Sequence, residues 1–102
     1  MGITDVLETE SGDELERIED PHNLLHTLLP SEDNISFELL RYIDWYGDTV
    51  FNRPQMETFL DEWERVRDLA HTSEDIALHS RIKALAECNQ STPHLFLKFY
   101  GG

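Results

Sequence analysis

His22 and His26 stand four residues apart, the spacing that brings two imidazoles to one helix face within reach of a single zinc ion. Asp20, or a carboxylate from another segment, would have to complete the ligand set. Against this, the same helix turns Leu24, Leu25, Leu28 and Leu29 inward and leaves its histidines on a solvated face. No cysteine joins the cluster and no glutamate adjoins His22, so two ligands make an incomplete site and neither a metal nor another cofactor is assigned. Glu57 and Asp61 have the same spacing, but acid–base catalysis needs carboxyl groups whose surroundings push their pKa values apart. Glu57, Asp61, Glu64 and Asp68 instead fall opposite an apolar helical stripe, where water keeps carboxylates ordinary. Cys88, with His79 and His94 nearby in sequence, sits near a helix end whose dipole disfavours a thiolate, and reads as a half-buried structural residue. The serines lack a nucleophile-elbow pattern, and Gly12, Gly47 and Gly101 are too isolated for a phosphate-cradling loop. No catalytic residue is assigned.

Recognition is better represented. Trp45 and Tyr46 fall in a predicted turn between Asp44 and Asp48, an aromatic anchor with an acidic rim of the kind enriched at protein interfaces. The alternative is that one or both rings fold back over the sheet edge and close the core. The chain carries 21 Asp and Glu against 8 Lys and Arg, a formal charge of −13. Eight of those acids, Glu8, Glu10, Asp13 and Glu14 among them, lie in residues 1–20 against Arg17 alone, while residues 71–102 are neutral. Such a segment either discourages edge-to-edge pairing or, with Glu32, Asp33 and Glu38, makes a field that attracts a basic partner. The charge exceeds what solubility of a small domain requires, which favours recognition.

The same charge repels phosphate, so nucleic acid and anionic membrane surfaces are excluded as partners. No apolar run reaches the length of a membrane span, and the N-terminal residues lack a signal peptide's basic and apolar regions. One cysteine precludes an internal disulfide framework and fits a reducing cytoplasm.

The elements that must position these residues fit one domain over residues 1–102, with 39% apolar and 10% aromatic residues to build a core. Residues 3–8 alternate as a strand, with Ile3, Asp5 and Leu7 on one side and Thr4, Val6 and Glu8 on the other. Ser11-Gly12-Asp13 is a turn, and Glu14 to Ile18 could return as a second strand, although Leu15 and Ile18 also suit a helical turn. Asp20-Pro21 opens a short helix that Pro30 stops. Residues 39–52 read as a hairpin turning through Asp44-Trp45-Tyr46-Gly47, a type I pattern. Met56, Phe59, Leu60, Trp63, Val66, Leu69 and Ala70 then recur with period 3.6, with Asn52 as cap and charge pairs Asp61–Arg65 and Glu64–Arg67 outside. Thr72 caps a second helix through a capping box, with Leu78, Ile82, Leu85 and Ala86 inward, antiparallel to the first. Residues 95–100, apolar on nearly both faces, form an interior strand. The expected fold class is α+β: a small mixed or antiparallel sheet of about four to five strands, with a short helix and an antiparallel helical hairpin packed on it.

Leu40-Arg41-Tyr42-Ile43-Asp44, Tyr46-Gly47-Asp48-Thr49-Val50-Phe51-Asn52 and His94-Leu95-Phe96-Leu97-Lys98-Phe99-Tyr100-Gly101 resemble a family of small bacterial proteins for which no activity is known. Asp20-Pro21-His22-Asn23-Leu24-Leu25-His26 is similar to that family's first helix. The resemblance implies a bacterial, cytoplasmic, single-domain protein. Together these features describe a non-enzymatic domain that binds a basic protein, in the manner of an immunity or inhibitor protein. The alternatives are a small metal-dependent or acid–base enzyme around His22 and His26, and a structural protein that self-associates as a homodimer.

Overall fold

Residues 2–101 are described by a computed structural model; Met1 and Gly102 lie outside it. Leu95, Leu97 and Phe99 are buried and alternate with half-buried Phe96, Lys98 and Tyr100, the period of a strand with one face on the core. This strand is interior, as its composition predicts. Naming elements in chain order, β1 (Thr4–Thr9) and β2 (Glu14–Ile18) are followed by α1 (Leu25–Leu28), β3 (Asp48–Asn52), α2 (Met56–Arg65), α3 (Ser73–Ser91) and β4 (Leu95–Tyr100). The sheet has four strands in the order β2-β1-β4-β3, with every pairing antiparallel. The fold is α+β.

The return strand forms. Gly12 turns the chain with φ of 89°, a conformation that costs glycine little, while Thr9 N–H and Asp13 C=O bond at 2.9 Å. A bulge between Leu7 and Glu8 shifts the register, which leaves Leu15 exposed and Ile18 buried. Their spacing of three therefore reflects an irregular strand and not a helical turn.

The expected hairpin over 39–52 does not form. Leu40–Tyr42 is a 3₁₀ turn, and β3 pairs with β4 instead of with residues 39–43. The cause is Glu62 on α2, a buried carboxylate that accepts the N–H groups of Glu38 (3.0 Å), Leu39 (3.1 Å) and Leu40 (3.0 Å). Three donors converging on one anion fix a helical start that strand-forming side chains cannot override. Arg65, one turn further along α2, donates to Ser36 C=O at 2.8 Å and lies 4.2 Å over the Phe37 ring. Among the described ion pairs neither expected α2 pair occurs, since Arg65 is turned to this loop and Glu64 meets Lys83 of α3 at 3.2 Å.

The short helix is shorter than its Leu pattern suggests, only Leu25–Leu28, because Asn23 takes a positive φ of 55°. The helix therefore does not open at Asp20-Pro21 and its N-cap is Leu24, although the Asp20 carboxylate reaches forward to accept from the N–H groups of Leu24 and Leu25, each at 2.8 Å. Asn52 forms its capping box with Gln55, ahead of a 3₁₀ turn (Arg53–Gln55) that leads into α2. Thr72 and Asp75 form the one expected before α3. Phe59 is the centre of the core, within 5.4 to 6.0 Å, ring to ring, of Phe51, Trp63 and Phe99. The α2–α3 seam is closed by Trp63 and His79, stacked at 4.9 Å and 4°. Trp63 Nε1–H donates to His79 C=O at 3.0 Å, and His79 Nε2 meets Trp63 C=O at 2.6 Å. A carbonyl can only accept, so that nitrogen carries the proton.

Candidate functional site

The segment around Trp45 and Tyr46 is pinned from several sides. Asp44 N–H donates to Thr49 Oγ1 at 2.9 Å, and Asp44 Oδ1 accepts Tyr46 N–H at 2.8 Å, a side-chain turn in place of the expected type I hairpin turn. Gly101 N–H, just past β4, donates to Gly47 C=O at 2.8 Å. A Cβ on Gly101 would lie 2.5 Å from the Trp45 carbonyl, so the two backbones meet where only glycine fits.

The two rings divide between the alternatives. Trp45 folds back, half-buried against the core, with its ring 5.6 Å from that of His26 in an edge-on contact. Tyr46 is 88% exposed. Tyr42 and Ile35 are also exposed. A cleft of about 470 Å³ runs between residues 30–32 and 41–46, walled by Tyr42, Trp45 and Tyr46. Glu32, Arg41 and Asp44 are its charged lining groups. Arg41 is committed locally, its guanidinium 4.6 Å over the Tyr42 ring and bonded to the phenol oxygen at 2.6 Å.

The acidic N-terminal residues do not join this site. Strand pairing puts Thr9 opposite Leu95 and Thr4 opposite Tyr100, so the β1–β2 turn and the Trp45–Tyr46 turn lie at opposite ends of β4. Five residue steps of strand separate them by roughly 17 Å. Glu10, Asp13 and Glu14 are exposed at the far end. Glu10 is 2.8 Å from His94 Nδ1, Asp13 accepts the Ser11 hydroxyl at 3.2 Å, and Glu14 is held by both Arg17 Nε and Nη2. Glu8 must be corrected outright: it is buried on the helix-free face of the sheet, 2.9 Å from Lys98 Nζ and accepting the Tyr100 hydroxyl. Burial pushes its pKa up, but the Tyr100 and Lys98 hydrogen bonds and the Lys98 charge outweigh this and hold it below the usual range. The same contact raises Lys98 and, joined by burial, Tyr100. A charge neutralised within the sheet is not a recognition element.

Asp5 departs furthest from expectation. Alternation places it with Ile3 and Leu7 on the core face, opposite Ile18 on one side and Phe99 on the other, and it is 1% exposed. Among the described residues neither carboxyl oxygen has a hydrogen-bond partner. Burial drives its pKa well above the carboxylate range, against a smaller opposing pull from the Val6 backbone. The alternation that groups Asp5 with Ile3 and Leu7 is legible in the sequence, whereas the face that turns inward is set by packing.

The remaining chemical candidates are dispersed. His22 precedes α1 and the chain is not helical there, so the spacing of four does not align it with His26. Among the described residues no three His, Cys, Asp or Glu side chains gather as a metal site would require. Cys88 is exposed, not half-buried, and His79 is engaged with Trp63. Comparison with known protein families, with curated proteins and with solved structures gives no match, so the family resemblance gains no support from it. Among the described residues no helix is long and apolar enough to cross a membrane.

Proposed function

We propose that this chain is a non-enzymatic protein-binding domain, an inhibitor or immunity-type protein whose aromatic turn and surrounding acids cover a basic partner. The observation that carries the reading is Tyr46, 88% exposed on a turn held by Asp44, Thr49 and Gly101. An apolar ring presented on a pre-organised backbone loses little entropy on binding, which is the economy that interface anchors exploit. Exposed Asp44 and Asp48 supply the rim, with Glu32 on the cleft beside it. The net charge of −13 favours a basic protein over nucleic acid or an anionic membrane. Following the family resemblance, the setting is a bacterial cytoplasm.

The mechanism is occlusion: Tyr46 enters a pocket on the partner while carboxylates meet its basic groups. Capture from the native host, compared at low and high salt and repeated with Tyr46→Ala, tests it. The expected result is a basic protein that is retained at low salt, released at high salt and lost with the variant. A neutral or acidic partner, capture indifferent to Tyr46→Ala, or a homodimer buried through this turn would each overturn it.

A further inference from the structure

The cleft beside Tyr46 has a composition that selects for one kind of chemical group. It is lined by the aromatic residues Tyr42, Trp45 and Tyr46 and by two acids, Glu32 and Asp44. Aromatic faces carry negative potential and draw cations, the more so where carboxylates lie alongside. The volume, about 470 Å³, suits a side chain or a small ligand.

Resting on the protein-binding reading above, we propose that this cleft receives a single cationic side chain, the guanidinium of an arginine or the ammonium of a lysine, from the partner. The protein already displays the contact: Arg41 places its own guanidinium 4.6 Å over the Tyr42 ring. That arginine is tied to the phenol oxygen at 2.6 Å, which leaves the Trp45 and Tyr46 rings and the two carboxylates for an incoming cation. An anionic ligand would meet two carboxylates and one cation that is already committed. A purely apolar ligand would have to desolvate Glu32, Arg41 and Asp44 without repaying their hydration. The Asp44 carboxylate is further held in place by the Tyr46 N–H at 2.8 Å, so its charge is positioned beside the cleft before anything binds.

The test uses the full chain and needs no partner. N-acetyl-argininamide and N-acetyl-lysinamide are titrated separately while the Trp45 side-chain N–H is followed by two-dimensional NMR. The neutral citrulline analogue and N-acetyl-aspartamide serve as controls. The expected result is a saturable shift with at least one cation, about tenfold weaker with citrulline and absent with the aspartate derivative. Glu32→Gln combined with Asp44→Asn should weaken the cation's binding severalfold, as should Tyr46→Ala. Both sets keep the fold, because Asn retains the oxygen that accepts Tyr46 N–H and the Tyr46 ring is exposed. Failure of both cations to saturate, or equal binding of citrulline, would overturn the proposal. Because no partner is involved, that failure leaves capture through Tyr46 standing. Conversely, a cleft that binds arginine in a protein that captures no basic partner separates the two readings the other way.

Discussion

A carboxyl group with no hydrogen-bond partner, at the inward position of a central strand, is costly at neutral pH. Asp5 loses its hydration on folding and gains no charged neighbour in return. Its folded pKa lies above the unfolded value of about 3.9, so above that pH the unfolded chain sheds a proton that the folded protein retains. Stability from this group is therefore unpenalised below about pH 4, falls as pH rises toward the folded pKa, and stays reduced beyond it. Asp5→Val should raise stability at pH 7 by roughly 1–3 kcal/mol relative to the parent. In urea unfolding from pH 3 to 9, the gap between variant and parent should widen with pH; a gap independent of pH would contradict the assignment. Glu8 has the opposite sign, because its folded pKa is depressed. Its contribution is complete above the unfolded value of about 4.3 and is lost as pH falls through the folded one. Glu8→Gln should therefore destabilise at pH 7 and converge with the parent in acid, checked by the same titration.

Elements here are tied by single polar side chains, and Glu62 is the clearest case. It holds three backbone N–H groups of the 38–40 segment while buried on α2. Glu62→Gln replaces one acceptor oxygen with a donor facing donors and should cost roughly 2–4 kcal/mol in urea or thermal unfolding. Backbone amide exchange should rise first at residues 38–40, and uniform loosening across the sheet would argue against this local role. The same residue separates what local sequence encodes from what it does not. Local signals are legible: the Thr72 capping box, the Asn52 cap, the Gly12 turn and the alternation of β4 each depend on neighbours in the chain. The failed hairpin over 39–52 depends on a carboxylate more than twenty residues away, and Leu39, Leu40, Tyr42 and Ile43 carry no trace of it. The candidate site was half legible for the same reason. Trp45, Tyr46 and Asp44 stand together in sequence, whereas Glu32 joins them only when residues 30–32 fold beside 41–46, and the separation from Glu10, Asp13 and Glu14 exists only once β1 is paired with β4.

For the molecule as a whole, the charge of −13 divides into parts with different reach. Asp5, Glu8, Asp20, Glu62 and Asp75 are buried and add little to an exposed field. Exposed acids flank both ends of the sheet, Glu10, Asp13 and Glu14 at one and Asp44 and Asp48 at the other, while Glu57, Asp61, Glu64 and Asp68 are spread along α2 and the turn after it. Roughly 17 Å of strand lies between the two ends, about twice the screening length of near 8 Å at physiological salt and about half the length of near 30 Å at 0.01 M. On the proposed function, the β1–β2 turn would steer a basic partner without touching it, and only in dilute salt. Neutralising it with Glu10→Gln, Asp13→Asn and Glu14→Gln should slow association several-fold at 0.01 M salt and leave it nearly unchanged at 0.15 M. Dissociation should be unaffected at either salt. Tyr46→Ala should do the reverse, speeding dissociation at both salt concentrations with little change in association, because its ring acts only after contact. Stopped-flow measurement with the captured partner distinguishes the two. Faster dissociation from the triple variant would mean that the partner spans the full length of the sheet, and the acids at its far end would then belong to the interface itself.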